Sequence, residues 1–305
     1  MKSDDPLISI AMCTYNGERF LREQMDSLIA QDYPNLEIVI VDDGSSDGTM
    51  NILHEYAEKY PHIRLYQNKT NLGYTKNFEK AISLCRGKYI SLCDQDDIWF
   101  PEKTRILYEN IGEFSLIYSK PEIIDESGEK IDREFPRTNR LTGKCSLGLL
   151  FKNCIVGHLS LFSAKLCEKI LPIPSGISHD HWIGFAAAEE NGILAHDRVL
   201  SLYRLHDNNT IFGSRKQKRL KAIKRWKRYK KRLLKLEILF RYNHITPEIK
   251  ETLKEVLRLY KRYRYTFVNK KFRKFLREHK EIVSISKKPE KMMKNLSRGF
   301  LRDIF

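Results

Sequence analysis

Between residues 7 and 93 the chain switches four times between a short apolar run and a stretch of helical periodicity. The apolar runs lie at residues 7–12, 37–41, 63–66 and 89–93. The first two read Leu-Ile-Ser-Ile-Ala-Met and Glu-Ile-Val-Ile-Val, apolar nearly throughout, as strands covered on both faces are. Phe20, Leu21, Met25, Leu28 and Ile29 mark one helix face, and Met50, Leu53, Tyr56 and Ala57 a second. Residues 77–84 form a third helix that Gly87 closes. This alternation is the pattern of an α/β fold, a mostly parallel sheet with helices on both faces. In that architecture a ligand sits in the crevice beyond the carboxyl ends of the strands. Thr14-Tyr15-Asn16, Asp42-Asp43 and Asp94-Gln95-Asp96-Asp97 all stand at such ends, so the topology alone gathers them. No G-x-G-x-x-G and no G-x-x-x-x-G-K-[ST] occurs, which disfavours a dinucleotide cofactor and excludes a P-loop NTPase.

The third cluster says most about chemistry. Three carboxylates within four positions repel one another at the end of a buried strand, and each loses hydration there. A divalent cation relieves both costs, and oxygen ligands suit a hard ion, Mn²⁺ or Mg²⁺. Mg²⁺ is commonly held by one or two carboxylates plus substrate phosphates, so the pattern predicts a phosphorylated ligand. The competing reading is an acidic turn ahead of the helix that Pro101 opens.

Further along, residues 101–110 predict a helix and 115–118 a strand. Residues 123–131 predict a hairpin around Glu126-Ser127-Gly128, and 132–146 an irregular loop over the site. Residues 155–162 read as a strand in which Gly157 marks a bulge or a close approach to a ligand. Ser178-His179-Asp180-His181-Trp182 opens a helix through Glu190, with Asp180 suited to its N-terminal cap. Residues 199–205 form a last strand. His158, His179 and His181 read as structural or acceptor-side residues rather than ligands, and Trp182 as core.

The formal charge of +16 is unevenly placed. Residues 213–305 carry 32 of the 55 Lys and Arg but only 8 of the 39 Asp and Glu, a net of +24, leaving residues 1–212 at −8. The expected division is a catalytic domain over 1–212 and a basic helical region over 213–305. Residues 215–235 hold 13 basic residues and no acid, yet Ala222, Trp226, Tyr229, Leu233, Leu236 and Phe240 keep helical spacing. Thr246 and Pro247, as cap and first turn, begin a second helix with the stripe Ile249, Leu253, Val256 and Tyr260. For these stripes we expect packing on the catalytic domain or on a second copy of the chain. For residues 290–305, with Met292, Leu296 and Phe300 on one side, we expect an anionic membrane surface, worth about 1 kcal/mol per nearby Lys or Arg. No apolar run reaches the roughly 18 residues of a spanning helix, and no apolar leader opens the chain. Six scattered cysteines without a C-x-x-C read as free thiols of a reducing compartment. The expected location is cytoplasmic, peripheral on the inner face of the plasma membrane.

The motifs occur in the order Thr14-Tyr15-Asn16-Gly17, Val41-Asp42-Asp43-Gly44-Ser45-Ser46-Asp47, Asn71-Leu72-Gly73, Asp94-Gln95-Asp96-Asp97, His179-Asp180-His181-Trp182 and Tyr203-Arg204-Leu205-His206. Over residues 7 to about 210 this resembles the family 2 glycosyltransferases of GT-A fold, among them the rhamnosyltransferase-like members that build bacterial surface polysaccharide. The resemblance implies that Thr14, Tyr15 and Asn16 line the nucleotide base pocket. One of Asp42 and Asp43 bonds the base, with Asp42, nearer the strand end, favoured. Lys76 assists the nucleotide or diphosphate. Asp94 reaches the ribose or metal-bound water, Asp96 binds the metal, and Asp97 does either. Asp180 is the catalytic base, and His206 stands near metal and diphosphate. Two positions depart from the family pattern: Lys76 replaces an Arg, and His179 replaces an acidic residue.

The implied activity is transfer of a sugar, assisted by Mn²⁺ or Mg²⁺, from a UDP- or dTDP-sugar to a hydroxyl of a lipid-linked saccharide acceptor. One base and no covalent step imply inversion. The expected partners also include an anionic membrane surface through residues 213–305 and a second copy of the chain. A sequence pI of about 9.5 raises nucleic acid as a partner. The lack of a recognised motif and an acidic body that repels phosphates disfavour it. The alternative function is a basic-tailed scaffold for nucleic acid or membrane with a non-catalytic GT-A domain, against which Asp94, Asp96 and Asp180 argue.

Overall fold

All four strands expected before residue 94 are present in the computed structural model, which describes residues 5–133, 135–206, 221–262 and 268–298. They are β1 (Ile8–Thr14), β2 (Leu36–Asp42), β3 (Ile63–Gln67) and β4 (Tyr89–Cys93), paired in parallel in the order β3-β2-β1-β4. Helices α1 (Glu18–Ile29), α2 (Thr49–Lys59) and α3 (Tyr74–Leu84) connect them. Successive side chains of a strand point to opposite faces. Accordingly Ile10, Met12, Ile38 and Ile40 pack with Leu21, Met25 and Leu28 of α1 and Leu53 of α2. Ala11, Val41, Ile90 and Leu92 pack instead with Phe78, Ala81 and Ile82 of α3. With both faces covered, the strands need apolar residues on both, hence their near-continuous apolar runs. Thr14 is in register with Asp42, and Met12 with Cys93, so the three strands end side by side.

Beyond β4 the sheet becomes mixed. β5 (Ile98–Trp99), β6 (Leu116–Ile124), β7 (Ser160–Ser163) and β8 (Ile193–Arg204) extend it to β3-β2-β1-β4-β7-β6-β8-β5. Only β6 and β8 are parallel there; β4–β7, β7–β6 and β8–β5 are antiparallel. Helices α4 (Lys103–Ile111), α5 (Cys167–Ile170) and α6 (His179–Glu189) complete this half. All six cysteines are free.

The expected hairpin is present in short form: Ile124 bridges Lys130, Ile131 N donates to Ile123 O and Asp125 N to Glu129 O, and the Asp125 carboxylate accepts from Ser127 and Glu129 across the turn. Two local expectations change. Strand pairing in residues 155–162 begins only at Ser160, and Gly157–Leu159 is a 3₁₀ turn. The turn carries the His158 ring out of the ladder to the carboxylates of Asp94 and Asp97. A short apolar run does not distinguish these conformations by periodicity. The loop expected over the site turns elsewhere. Arg140 binds Tyr118 O and His196 O, Asn139 binds Ser284 O, and no described residue of 132–146 lines the main cleft.

The basic region folds onto this body as α7 (Lys221–Phe240), α8 (Pro247–Lys261), α9 (Lys270–Glu278), α10 (Glu281–Ser284) and α11 (Pro289–Ser297). The boundary expected near residue 212 lies outside the described residues. Tyr229, Leu236 and Leu239 of α7 and Leu253, Val256 and Tyr260 of α8 share one apolar core with Ile155, Trp182 and Phe185. Thr246 stands at the start of α8, but its hydroxyl and N–H both go to Glu189, so it ties α8 to α6 instead of capping it. The stripe expected at a membrane is internal: Met292 and Leu296 are buried in that core, and Phe300 lies outside the described residues. No described helix is long and apolar enough to cross a membrane.

Candidate functional site

The ends of β1, β2 and β4 open on a cleft of about 970 Å³. Its first wall is the turn after β1. Asn16 takes φ 47°, a left-handed conformation that Asn tolerates better than most residues. Its N–H donates to Ser45 Oγ and its Oδ1 accepts from Ser46 N, both at 2.8 Å. Gln95 locks Tyr15 from the β4 side by accepting from its N–H and donating to its carbonyl. Tyr15 itself is half exposed. Thr14, Tyr15 and Asn16 all line the cleft, as the sequence led us to expect.

The neighbouring pair divides its work differently from expectation. Asp42 is fully buried and absent from the cleft wall. Its carboxylate accepts from Thr14 Oγ1 (2.9 Å), Gly44 N (3.0 Å), Ser45 N (2.8 Å) and Ser45 Oγ, so it orders the loop. Asp43 lines the cleft and braces its rim, accepting from Leu72 N at 2.8 Å and Gly73 N at 2.9 Å. Of the two, Asp43 is the one that lines the cleft. Lys76 is a second correction. Its ammonium pairs with Glu79 at 2.7 Å and donates to Ile173 O at 3.0 Å, joining α3 to the segment before α6 and away from the cleft wall.

Each acid of the turn has a histidine or backbone partner within the chain. Asp94 bonds His158 Nδ1 at 2.9 Å, and Asp96 meets His206 Nε2 at 2.7 Å. Asp97 is fully buried beneath them, accepts from Arg204 N at 3.1 Å, and lies 3.4 Å from His158 Nε2. Burial, then the charges of Asp96 and Asp94, push the Asp97 carboxyl up to about 7 against the pull of His158. Burial works against the Asp94 carboxylate too, but His158 outweighs it and holds the group below its usual range. Lys103 is buried below, donating to His158 O at 2.6 Å over the Trp99 ring, and burial brings its ammonium down to about 7. Arg204 completes the frame with bonds to Glu23, Asp96 O and Asp125 O.

Two donor sets could take a cation. Asp94, Asp96 and His206 line the cleft, where a ligand's phosphates could complete the shell. Asp94, Asp97 and His158 bring their ligand atoms within 4.8 Å of one another, and Asp97 Oδ2 and His158 Nε2 are buried without hydrogen-bond partners. Of this second set Asp94 and His158 line the cleft and Asp97 does not. The residues thus fit a hard divalent ion. His158 was not expected among them. The only sequence signal is a lone His in an apolar run, a weak one.

Opposite stands α6. Asp180, in its first turn, lines the cleft, and its Oδ1 accepts from His181 N at 2.7 Å. His179 is buried and stacks on Phe78 with ring centroids 4.1 Å apart; burial keeps it below its ordinary pKa. A Cβ on Gly157 would stand 3.0 Å from His179 Nε2, so the near neighbour of this glycine is a side chain of α6, where a ligand was the expectation. His181 meets Leu149 O and Trp182 donates to Ile170 O, both buried and structural.

Comparison with known proteins agrees with this geometry. Residues 9–171, more than half the chain, match the profile of Glycosyl transferase family 2. An uncharacterized glycosyltransferase of Haemophilus influenzae is 30% identical over 237 residues, 72% of each chain. EpsE of Bacillus subtilis, provisionally named a glycosyltransferase, is 36% identical over 69% of this chain and 76% of its own. Among solved structures, Staphylococcus aureus TarS 1-349 in complex with UDP-GlcNAc superposes with TM-score 0.62 at 18% identity, covering 90% of this chain and 78% of that one. The Pyrobaculum calidifontis mannosyltransferase PcManGT in complex with GDP-Man and Mn²⁺ gives 0.56 at 18% identity, over 85% and 71%. By profile, relatives and GT-A architecture alike, the chain belongs to glycosyl transferase family 2 and is a glycosyltransferase.

Proposed function

We propose that the cleft binds a nucleotide-sugar, a UDP- or dTDP-sugar, with Mn²⁺ or Mg²⁺, and transfers the sugar with inversion to a hydroxyl of a saccharide acceptor. One observation carries the reading: Asp94, Asp96, His206 and Asp180 line a single cleft with Tyr15 and Asn16. Its size suits such a ligand, small-molecule sites spanning about 300–1,000 Å³. Thr14, Tyr15, Asn16 and Asp43 form the nucleotide end, where the exposed Tyr15 ring offers a stacking face. Asp96, Asp94 and His206 would hold the cation, which when bound supplies Lewis-acid stabilisation of the departing diphosphate. Asp180 takes the proton of the acceptor hydroxyl. One of its oxygens is fixed by His181 N, and the other makes no hydrogen bond among the described residues. Such a base contributes about 10²–10⁴-fold. A single carboxylate acting as base, without a covalent step, gives one displacement and inversion. The ligands in the two structural neighbours, UDP-GlcNAc in one and GDP-Man with Mn²⁺ in the other, support donor class and metal.

We extend the proposal to a lipid-linked acceptor of surface-polysaccharide synthesis and to a cytoplasmic protein lying on the inner face of the plasma membrane. The net +24 of residues 213–305 supports this. Residues 1–212 and 213–305 are then divisions of labour, catalysis and surface attachment, over one shared core. Thermal shift against UDP-, dTDP- and GDP-sugars with Mn²⁺ tests the donor. Stabilisation by one nucleotide series is expected, and none by any would refute the reading.

A further inference from the structure

A second hollow, of about 480 Å³, opens beside the cleft under α7 and shares Tyr74 and Ser178 with it. Arg228, Lys231, Arg232 and Lys235 line it, spaced so that they fall on one face of α7. The facing wall is Gly176-Ile177-Ser178 and His181, the approach to α6. Among the described residues none of the four cations has a carboxylate within ion-pair distance, whereas Lys254, Arg258 and Lys261 of α8 are each paired with a glutamate. Lys235 reaches only Phe151 O at 3.4 Å and His181 Nδ1 at 3.5 Å. Burial and the charges of Arg232 and Lys231 bring its ammonium down to about 8, against the pull of Asp180. Lys152 is lowered as well, by burial and then by Arg232. His181, driven well below its ordinary value by burial, supplies no countercharge. Four like charges around a hollow repel one another unless an anion occupies it.

We infer that this hollow is the acceptor's phosphate site: Arg228, Lys231, Arg232 and Lys235 hold a phosphate or diphosphate group of the acceptor while its hydroxyl meets Asp180. The inference rests on the reading of Asp180 as the base. The donor's diphosphate is a separate matter, because Asp94, Asp96 and His206 line the cleft and not this hollow. Guanidinium groups bind phosphate oxygens in pairs, and lysines add point charge, so the set suits a phosphate better than a carboxylate. The arrangement also gives α7 a second task. It packs on the catalytic body through Leu236 and Leu239 and turns its cations toward the point where an acceptor enters.

The test titrates inorganic phosphate into the full chain, with UDP and Mg²⁺ saturating the donor site, at constant ionic strength, reading the ³¹P line width. The wild type is expected to bind phosphate on the order of ten- to a hundredfold more tightly than Arg232→Gln/Lys235→Met. Equal affinity would overturn the inference. Because Lys235 is largely buried, Arg228→Gln/Lys231→Gln, at the exposed mouth, is measured beside it. A severalfold loss with an unchanged unfolding midpoint is expected, and no loss would again overturn the inference. Flotation with vesicles of phosphatidylcholine and phosphatidylglycerol separates the two sources of phosphate. If both variants lose vesicle binding but keep affinity for free phosphate, the cations serve a lipid surface and the pocket assignment is wrong. Failure of the wild type to bind UDP would contradict the donor reading, while the phosphate titration still decides this one.

Discussion

The cleft at the strand ends and the hollow beneath α7 are neighbours of opposite charge, and they treat charge differently. In the cleft each acid of the turn meets a partner from the chain itself: Asp94 with His158, Asp96 with His206, Asp97 with His158 and the backbone N–H of Arg204. In the hollow four cations converge, and among the described residues no carboxylate lies within ion-pair distance of them. Parallel strand ends force the acids together, so the fold carries their partners with it. The cations of α7 sit on a helix that could have turned them to solvent. Arg232 and Lys235 are instead partly buried at the wall of the hollow while Arg228 and Lys231 ring its exposed mouth, an arrangement that favours an anionic ligand.

The largest effect is expected at the edge the two regions share. Asp180→Asn should lower turnover by about 10²–10⁴-fold while the thermal shift with donor is retained. A variant that keeps most of its activity would show that the cleft's base lies elsewhere. Next, Leu236→Ala should cost about 2–5 kcal/mol in chemical denaturation, because the side chain is fully buried between α7 and the catalytic body. A loss well below that would make the helices a loosely docked module and the hollow an accident of docking. Smaller again is the split between the paired aspartates. Asp42→Asn should destabilise by about 1–3 kcal/mol with UDP affinity kept, whereas Asp43→Asn should weaken UDP on the order of tenfold. The opposite pattern would return Asp42 to the base pocket.

The smallest effect concerns an acid far from either site. Glu37 accepts from Ser9 Oγ (2.6 Å), Arg86 N (2.6 Å) and Arg64 (2.9 Å), and these bonds outweigh burial to hold its pKa below the ordinary value. A carboxylate lowered on folding adds stability that is complete above its unfolded pKa, about 4.3, and is lost as pH falls through the folded value. Glu37→Gln should therefore cost about 1 kcal/mol at neutral pH and nothing once both forms are in acid. A cost that grows on acidification would contradict the account.

How much was legible in the sequence follows the same division. The parallel half was readable because its strands are buried on both faces and end in polar clusters, so periodicity alone placed Tyr15, Asn16, Asp94 and Asp96. Asp42 and Asp43 show the limit. Adjacent residues at a strand end point opposite ways, and sequence does not say which faces the ligand. The bond from Lys76 to Ile173 O is invisible in sequence because Ile173 comes from a distant segment. His158 was undervalued because its worth comes from the turn that carries it beneath Asp94 and Asp97. In the helical region the apolar stripes were visible, but not what they would cover. The stripe of Met292 and Leu296 looks alike whether it meets lipid or protein.

The account depends most on a cation at the cleft-facing acids. Crystals grown with Mn²⁺ and UDP, measured at the manganese absorption edge, test it directly. An anomalous peak bridging Asp96, His206 and the UDP phosphates is the predicted result. A cleft empty at Asp96, or a peak confined to Asp94, Asp97 and His158, would contradict it.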